Sequence, residues 1–443
     1  MNERRSPRAQ TTLAVIVAAL GYFVDLFDLV LYSVVRVPSL GAPNGLGLPM
    51  PPPGTPSIGT LEQLRHLAEV LLGRVPGDVT SAGLVILNAQ LVGMVLGGIA
   101  WGMLGDRRGR LTVLFGSILV YSLANIANAF VQSVPEYALL RFVAGFGLAG
   151  ELGAGITLVC ELMGASKRGY GTMIVAGVGL LGPIAAAIVG QVLPWRSAYI
   201  VGGVMGLALL VLRIGVAESG LFHQVRERPV ARGSLRMLLW PPERFVRYLR
   251  VIFAGVPIWW VGGIVFIFAP ELAGAMGLKR PSPDAPVVNP AIVIMCGYAG
   301  AALGDLMSGL LSQLLRSRVK TIVVFQLGLL ATGAMLFAFG GRSHTGFYAL
   351  VFLMGLATGY WAVFVTVASE AFGTNLRATA TTTAPNFVRG FAVVIVTAWE
   401  LLKPAFGTLG AAGAVGAAVL ALGIFSISGL DDPFGRNLDY EEK

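Results

Sequence analysis

Long stretches of this chain carry no Asp, Glu, Lys or Arg: residues 79–105, 111–135, 169–195, 251–270, 321–341, 345–369 and 404–430. Each reaches the ~20 residues that an α-helix needs to cross a hydrocarbon core about 30 Å thick. Lipid offers backbone N–H and C=O groups no partner, so segments of this kind cross it as helices. Only 12% of the 443 residues are charged, against roughly a quarter in a soluble domain. A water-soluble core could not hide so much apolar surface.

The pattern predicts an all-α membrane protein with twelve transmembrane helices, over about 12–36, 81–104, 111–131, 137–163, 171–192, 197–216, 250–277, 289–315, 320–340, 346–371, 381–405 and 409–429. The net charge of +9 would suit nucleic acid, but in such a chain the place of the basic residues matters more than their sum. With the Arg-rich start "MNERRSPR" in the cytoplasm, most of the 32 Lys and Arg fall in or beside cytoplasmic segments. Both termini are then expected inside, in a bacterial inner membrane, with the bilayer and not nucleic acid as partner. The first apolar stretch holds Asp25 and Asp28 and no small-residue cleavage site, so it reads as a retained helix rather than a signal peptide. Cys160 and Cys296 lie within spans and behave there as small hydrophobes.

Two hydrophilic segments interrupt the rhythm. Residues 38–80, outside, begin with a Pro- and Gly-rich tract and continue as "TLEQLRHLAEVLLGR", whose Leu61, Leu64, Leu67, Leu71 and Leu72 form one helical stripe. A packed lid is the reading there. Residues 217–249 are Arg-rich and cytoplasmic, and they divide an N-terminal unit, 1–216, from a C-terminal unit, 250–443. An internal repeat supports the division. "ELMGASKRGYGT" at 161–172 aligns without a gap on "EAFGTNLRATAT" at 370–381, matching Glu161 with Glu370 and Arg168 with Arg377 at an offset of 209 residues; Gly150 and Gly359 share it. Two pseudo-symmetric six-helix bundles, a common plan among secondary transporters, account for this.

The sequence "WGMLGDRRGRLTVLFG", 101–116, sets a knot of charge between two uncharged spans. Topology alone asks only for positive charge there. The carboxylate of Asp106 can also meet the exposed N–H groups and positive end of another helix, while Arg110 can reach Glu161. Contacts of this kind form only when the two halves close on the cytoplasmic side, which makes the loop a candidate latch. Gly102, Asp106, Arg107, Gly109 and Arg110 resemble the Gly-x-x-x-Asp-Arg-x-Gly-Arg loop of the major facilitator superfamily. Residues 309–320 look like a worn second copy, with Gln313 in place of the Asp. Arg141, Gly145, Gly150, Glu151, Glu161 and Arg168, with "ESGLF" at 218–222, resemble the branch of metabolite:proton symporters and sugar porters. The resemblance implies alternating access, with Glu370 and Arg377 as the latch residues of the second half. Gly182 and Pro183 resemble the fifth-helix motif of drug antiporters, but Val178 stands where that motif has Gly.

Ionisable residues inside spans are functional candidates by default. Asp25 and Asp28 share a helix face, and Asp28 is placed to pair with Arg141. Asp305 and Arg389 are matched in depth in the second half, either as a structural pair or as substrate contacts, and Glu151 sits in the inner part of its span. Trp259, Trp260, Tyr360 and Trp361 fall in the two spans that line the cavity in the family, where they could stack on a ring. His66, His223 and His344 lie in loops with no metal-ligand spacing, and no nucleophile triad appears. The expectation is a monomeric transporter without a cofactor, not an enzyme, carrying a small organic anion by proton symport. The anion preference rests on Arg141 and Arg389, whose charge a carboxylate can share. Sugar or neutral-metabolite porter, drug antiporter, channel and membrane enzyme are the alternatives. "LGD" at 104–106 and 303–305 lacks the first Gly of the intramembrane aspartyl protease motif.

Overall fold

The computed structural model describes residues 7–41, 43–49, 78–163, 167–213, 233–282 and 286–442. The leucine stripe within 60–74, "ESGLF" and His66 and His223 lie outside them. Twelve membrane-length helices are described: α1 Pro7–Leu40, α2 Val79–Arg108, α3 Arg110–Asn128, α4 Val134–Leu162, α5 Arg168–Val192, α6 Trp195–Leu212, α7 Pro242–Phe266, α8 Pro290–Leu314, α9 Arg318–Phe339 and α10 His344–Glu370, then α11 (377–406) and α12 (408–428) within one long helical run. Gly407 divides that run with a left-handed backbone, φ 67°, which glycine adopts at no steric cost. No strand occurs among the described residues.

The helices face lipid with apolar side chains: Leu139, Val192, Val211, Leu401 and Phe425 are each more than 60% exposed. On a soluble protein such a surface would aggregate; in a bilayer it is the solvated one. The two halves meet chiefly along α2 with α11 and α5 with α8. This exchange is reciprocal, since α8 repeats α2 and α11 repeats α5.

Several helices are broken where they approach the centre. α4 is interrupted at Ala149–Gly150 and α10 at Gly359–Tyr360, at the repeat offset seen in the sequence. α7 carries Pro257 and then a π-helical turn over Val261–Phe266. Proline removes one backbone donor, and π turns of this sort commonly mark functional sites. α7 begins at Pro242, within the segment read from sequence as the 217–249 linker, after a short helix at Leu235–Leu239.

Candidate functional site

The charged loop between α2 and α3 folds as a tight turn because Gly109 takes φ 103°, a conformation closed to most L-residues. α2 then lies so close to the start of α11 that a Cβ on Gly102 would sit 2.9 Å from the Thr379 Cα. At this range Asp106 of α2 reaches the free N–H groups that open α11. Its carboxylate accepts from Ala378 N (3.0 Å), Thr379 N (2.8 Å) and the Thr379 hydroxyl (2.7 Å). A helix N-terminus favours an anion both by its exposed donors and by its dipole.

Arg110 ties the same turn to the rest of its half and to the other half. It donates to Glu161 at 2.8 Å and to the Thr374 carbonyl at 3.2 Å, and lies 3.5 Å from Asp106. Glu161 also receives Arg377 of the second half, at 3.0 Å. Asp106, Arg110 and Arg377 are all buried, whereas Arg107 faces outward. The second half repeats the motif. Arg318 holds Glu370 through two bonds of 3.1 and 3.2 Å, and Gln313 packs on the first turn of α5 at Gly169, where Asp106 meets α11 in the other half. Arg318 was not singled out from the sequence, although the repeat offset maps Arg110 to within one residue of it.

The C-terminal tail, 430–442, crosses this closed face. The Leu438 carbonyl accepts from Arg377 (2.7 Å), and the Arg436 carbonyl accepts from Arg168 of the other half (2.9 Å). Asp432 accepts from Arg318 N (3.1 Å) and bonds the Ser317 hydroxyl, capping α9. Glu442 pairs with Arg244 and Arg247 at 3.1 Å each.

Above this gate lies a central cavity of about 60 Å³, lined by residues from both halves: Tyr22, Leu26 and Leu29 of α1, Trp259 and Phe266 of α7, Tyr298 of α8, Trp361 of α10 and Arg389 of α11. Arg389 is the one charged residue in the lining among the described residues. That volume is room for a handful of waters. The π turn in α7 and the break in α10 present Trp259, Phe266 and Trp361 to it. Trp260 and Tyr360, expected to line the cavity, point away. Their neighbours in sequence take the cavity face, and they are buried against backbone: Trp260 donates to the Ala412 carbonyl (3.0 Å) and Tyr360 to the Ala254 carbonyl (3.1 Å).

The embedded charges sort themselves differently from the sequence reading. Asp28 does meet Arg141, at 3.3 Å. That guanidinium is also bonded to Asn125 (3.1 Å) and flanked by the rings of Tyr32 and Tyr199, so it is enclosed by its own half and absent from the cavity wall. Asp305 and Arg389, read from the sequence either as a structural pair or as substrate contacts, do not meet. Asp305 turns toward the break in α10, where its carboxylate accepts from Ala362 N at 3.0 Å. Arg389 instead faces Asp25 across the two halves, 3.6 Å away, and lies 5.8 Å from the Trp361 ring. Its Nε and Nη2 make no hydrogen bond, nor do the Asp25 oxygens. Glu151 is held by Arg213. Arg213 escaped the sequence reading because an Arg at the end of a span looks like ordinary topology signal.

Two six-helix halves with a cavity between them, joined on one side of it by reciprocal helix-end contacts, make the architecture of an alternating-access membrane carrier. The sequence pattern of the Major Facilitator Superfamily matches residues 18–397, and the chain belongs to that family. It is 29% identical to the 3-(3-hydroxy-phenyl)propionate transporter of Escherichia coli (strain K12), over 77% of this chain and 83% of the relative. It is likewise 29% identical to the niacin transporter of Acinetobacter baylyi, over 66% of this chain and 72% of the relative. A 4-hydroxybenzoate transporter of Pseudomonas putida is 34% identical over 32% of this chain and 33% of the relative. The fold matches that of a proton:xylose symporter with a TM-score of 0.69, at 15% identity and over 98% of each chain.

Proposed function

We propose that this protein imports a small aromatic monocarboxylate by proton symport, as a monomer in a bacterial inner membrane with both termini and the Asp106 gate on the cytoplasmic face. The observation that carries this reading is the cavity lining: a cage of Tyr22, Trp259, Phe266, Tyr298 and Trp361 around one charged group, Arg389. Rings stack on such walls, and a guanidinium with open N–H groups takes a carboxylate as a planar, two-bonded pair. The relatives named for a phenylpropionate, for niacin and for 4-hydroxybenzoate point the same way. A sugar site would call for several hydrogen-bonding side chains around the ligand, and this lining supplies few.

In this reading the residues between 217 and the start of α7 at Pro242 link the two units. Asp106, Arg110, Glu161, Arg168, Glu370 and Arg377, spaced by Gly102 and Gly109, hold the cytoplasmic gate, and Asp25 carries the coupling proton opposite Arg389. Asp28, Arg141, Glu151 and Asp305 position the helices around it. The test is a thermal-shift panel on purified protein followed by uptake into proteoliposomes. The panel comprises 4-hydroxybenzoate, nicotinate and 3-(3-hydroxyphenyl)propionate, with their methyl esters and xylose as controls. A ligand that binds only the folded state raises its stability by mass action. Stabilisation and uptake of at least one acid, and of none of the esters, is the expected result. Stabilisation by xylose alone overturns the reading.

A further inference from the structure

Asp305 is fully buried, well inside α8, and has no ion-pair partner among the described residues. An ionisable side chain placed there is costly and calls for a task. What faces it is the break in α10. The backbones of the two helices touch at this point, so that a Cβ on Gly359 would collide with the backbone of Gly304 and Asp305. Beyond the break the helix restarts at Trp361 and runs to Glu370. The opening N–H groups of a helix have no partner within it. The residue before them, Tyr360, makes no side-chain cap, since its hydroxyl is turned away to the Ala254 carbonyl. Asp305 supplies the cap from the neighbouring helix. One of its carboxylate oxygens accepts from Ala362 N at 3.0 Å, and the Trp361 N–H faces the same group.

Trp361 is the first residue of this restarted helix and also a wall of the cavity, with the Arg389 guanidinium 5.8 Å from its ring. No hydrogen bond pins its tip. Trp101, Trp195, Trp260 and Trp399 each donate the indole N–H to a backbone carbonyl, whereas the Trp361 N–H makes no such bond. Its ring rests on Phe364 of the same restarted helix, 5.2 Å between centroids. The aim of Trp361 therefore follows the phase of that helix, and a slip of one residue, about 100°, would carry it off the cavity. We infer that Asp305 is a positioning residue for the substrate: as a fixed cap reaching from α8 to the restart of α10, it sets the phase that presents Trp361 to the ring of the ligand. The task asks for a hydrogen-bond acceptor, not for a group that gains and loses a proton. Clamp and wall belong to the same half, so the aim travels unchanged as the halves move. The matching break in α4 is held from the other half instead, where Asn386 donates to the Ala149 carbonyl at 3.0 Å.

The test has one arm without ligand and one that rests on the aromatic-acid reading above. In purified protein, the emission of Trp361 is the difference between each variant and the same variant carrying Trp361→Phe as well. Asp305→Asn keeps an oxygen that accepts from Ala362 N, so its Trp361 emission should match that of wild type. Asp305→Leu keeps the branched shape without an acceptor, and there the emission should shift; Asp305→Ala replaces it if that protein does not fold. One spectrum for wild type and the acceptor-free variant, or a shift already in Asp305→Asn, overturns the inference. In the second arm 3-(3-hydroxyphenyl)propionate, nicotinate and 4-hydroxybenzoate are each titrated by thermal shift. Trp361→Ala and Asp305→Leu are each expected to weaken binding about tenfold, the loss of one aromatic wall, while Asp305→Asn binds as wild type does. The double variant Asp305→Leu, Trp361→Ala should lose no more than Trp361→Ala alone, because two residues that act as one unit are not additive. Losses that multiply in the double variant give Asp305 a separate task and overturn the inference. If none of the three acids binds wild type, the aromatic-acid reading falls, and the emission arm still decides whether Asp305 aims Trp361.

Discussion

At the scale of single residues, charge inside a membrane is decided by which partner a side chain can reach. Arg141 and Arg389 look alike in the sequence, yet the first is spent on Asp28, Asn125 and two aromatic rings and the second keeps two unbonded nitrogens beside the cavity. Arg389→Lys preserves the charge and removes the planar fork. Substrate affinity, read as half-saturation of uptake or of thermal shift, is expected to fall about tenfold or more, the loss of one charge-assisted bond worth roughly 1.5–3 kcal/mol. Arg141→Lys should leave that affinity near wild type and lower thermal stability instead. Asp106→Asn tests the gate. It keeps the size of the side chain and gives up the charge that faces the two N–H groups of α11. By the same ~1.5–3 kcal/mol, the ratio of gate-open to gate-closed protein should rise about tenfold or more. Faster maleimide labelling of Thr382→Cys, buried one turn deeper against Gly153 of the other half, would report it.

At the scale of elements, the helices that matter most are the imperfect ones. The break at Gly359 and the π turn after Pro257 give up regular hydrogen bonds near the site and so let α7 and α10 turn side chains toward it. The C-terminal tail is the other decisive element. It touches Arg168 of one half, Arg318 and Arg377 of the other and the start of α7, and its own Leu438 is fully buried. Contacts that span the closed face stabilise that face and must part when it opens. Ending the chain after Leu430 should therefore speed labelling of the same Thr382→Cys reporter while leaving thermal shift by substrate in place. Unchanged labelling would mean that the tail follows the gate without restraining it.

At the scale of the whole molecule, the gate proposed above requires the α2–α11 contact to form and part during transport. Cysteines placed at Gly102 and Thr379, in a background lacking Cys160 and Cys296, should cross-link and stop uptake, and reduction should restore it. Free uptake by the cross-linked protein would exclude opening at this gate. The spans and the two-half plan were legible along the chain because they depend on local quantities. Hydrocarbon thickness sets the length of a charge-free run, repeat units keep their spacing, and the turn at Gly109 follows from residues within one loop. The partners of Asp305, Arg389 and Glu151, and the choice of Trp361 over Tyr360 as a cavity wall, were not. They turn on how far α10 rotates after its break and on how the two halves close, and a change of one residue in helix phase swings a side chain by about 100°. Twelve spans in two halves could be read along the chain; that Arg389 faces Asp25 across the halves could not, because that contact exists between helices that share no stretch of chain.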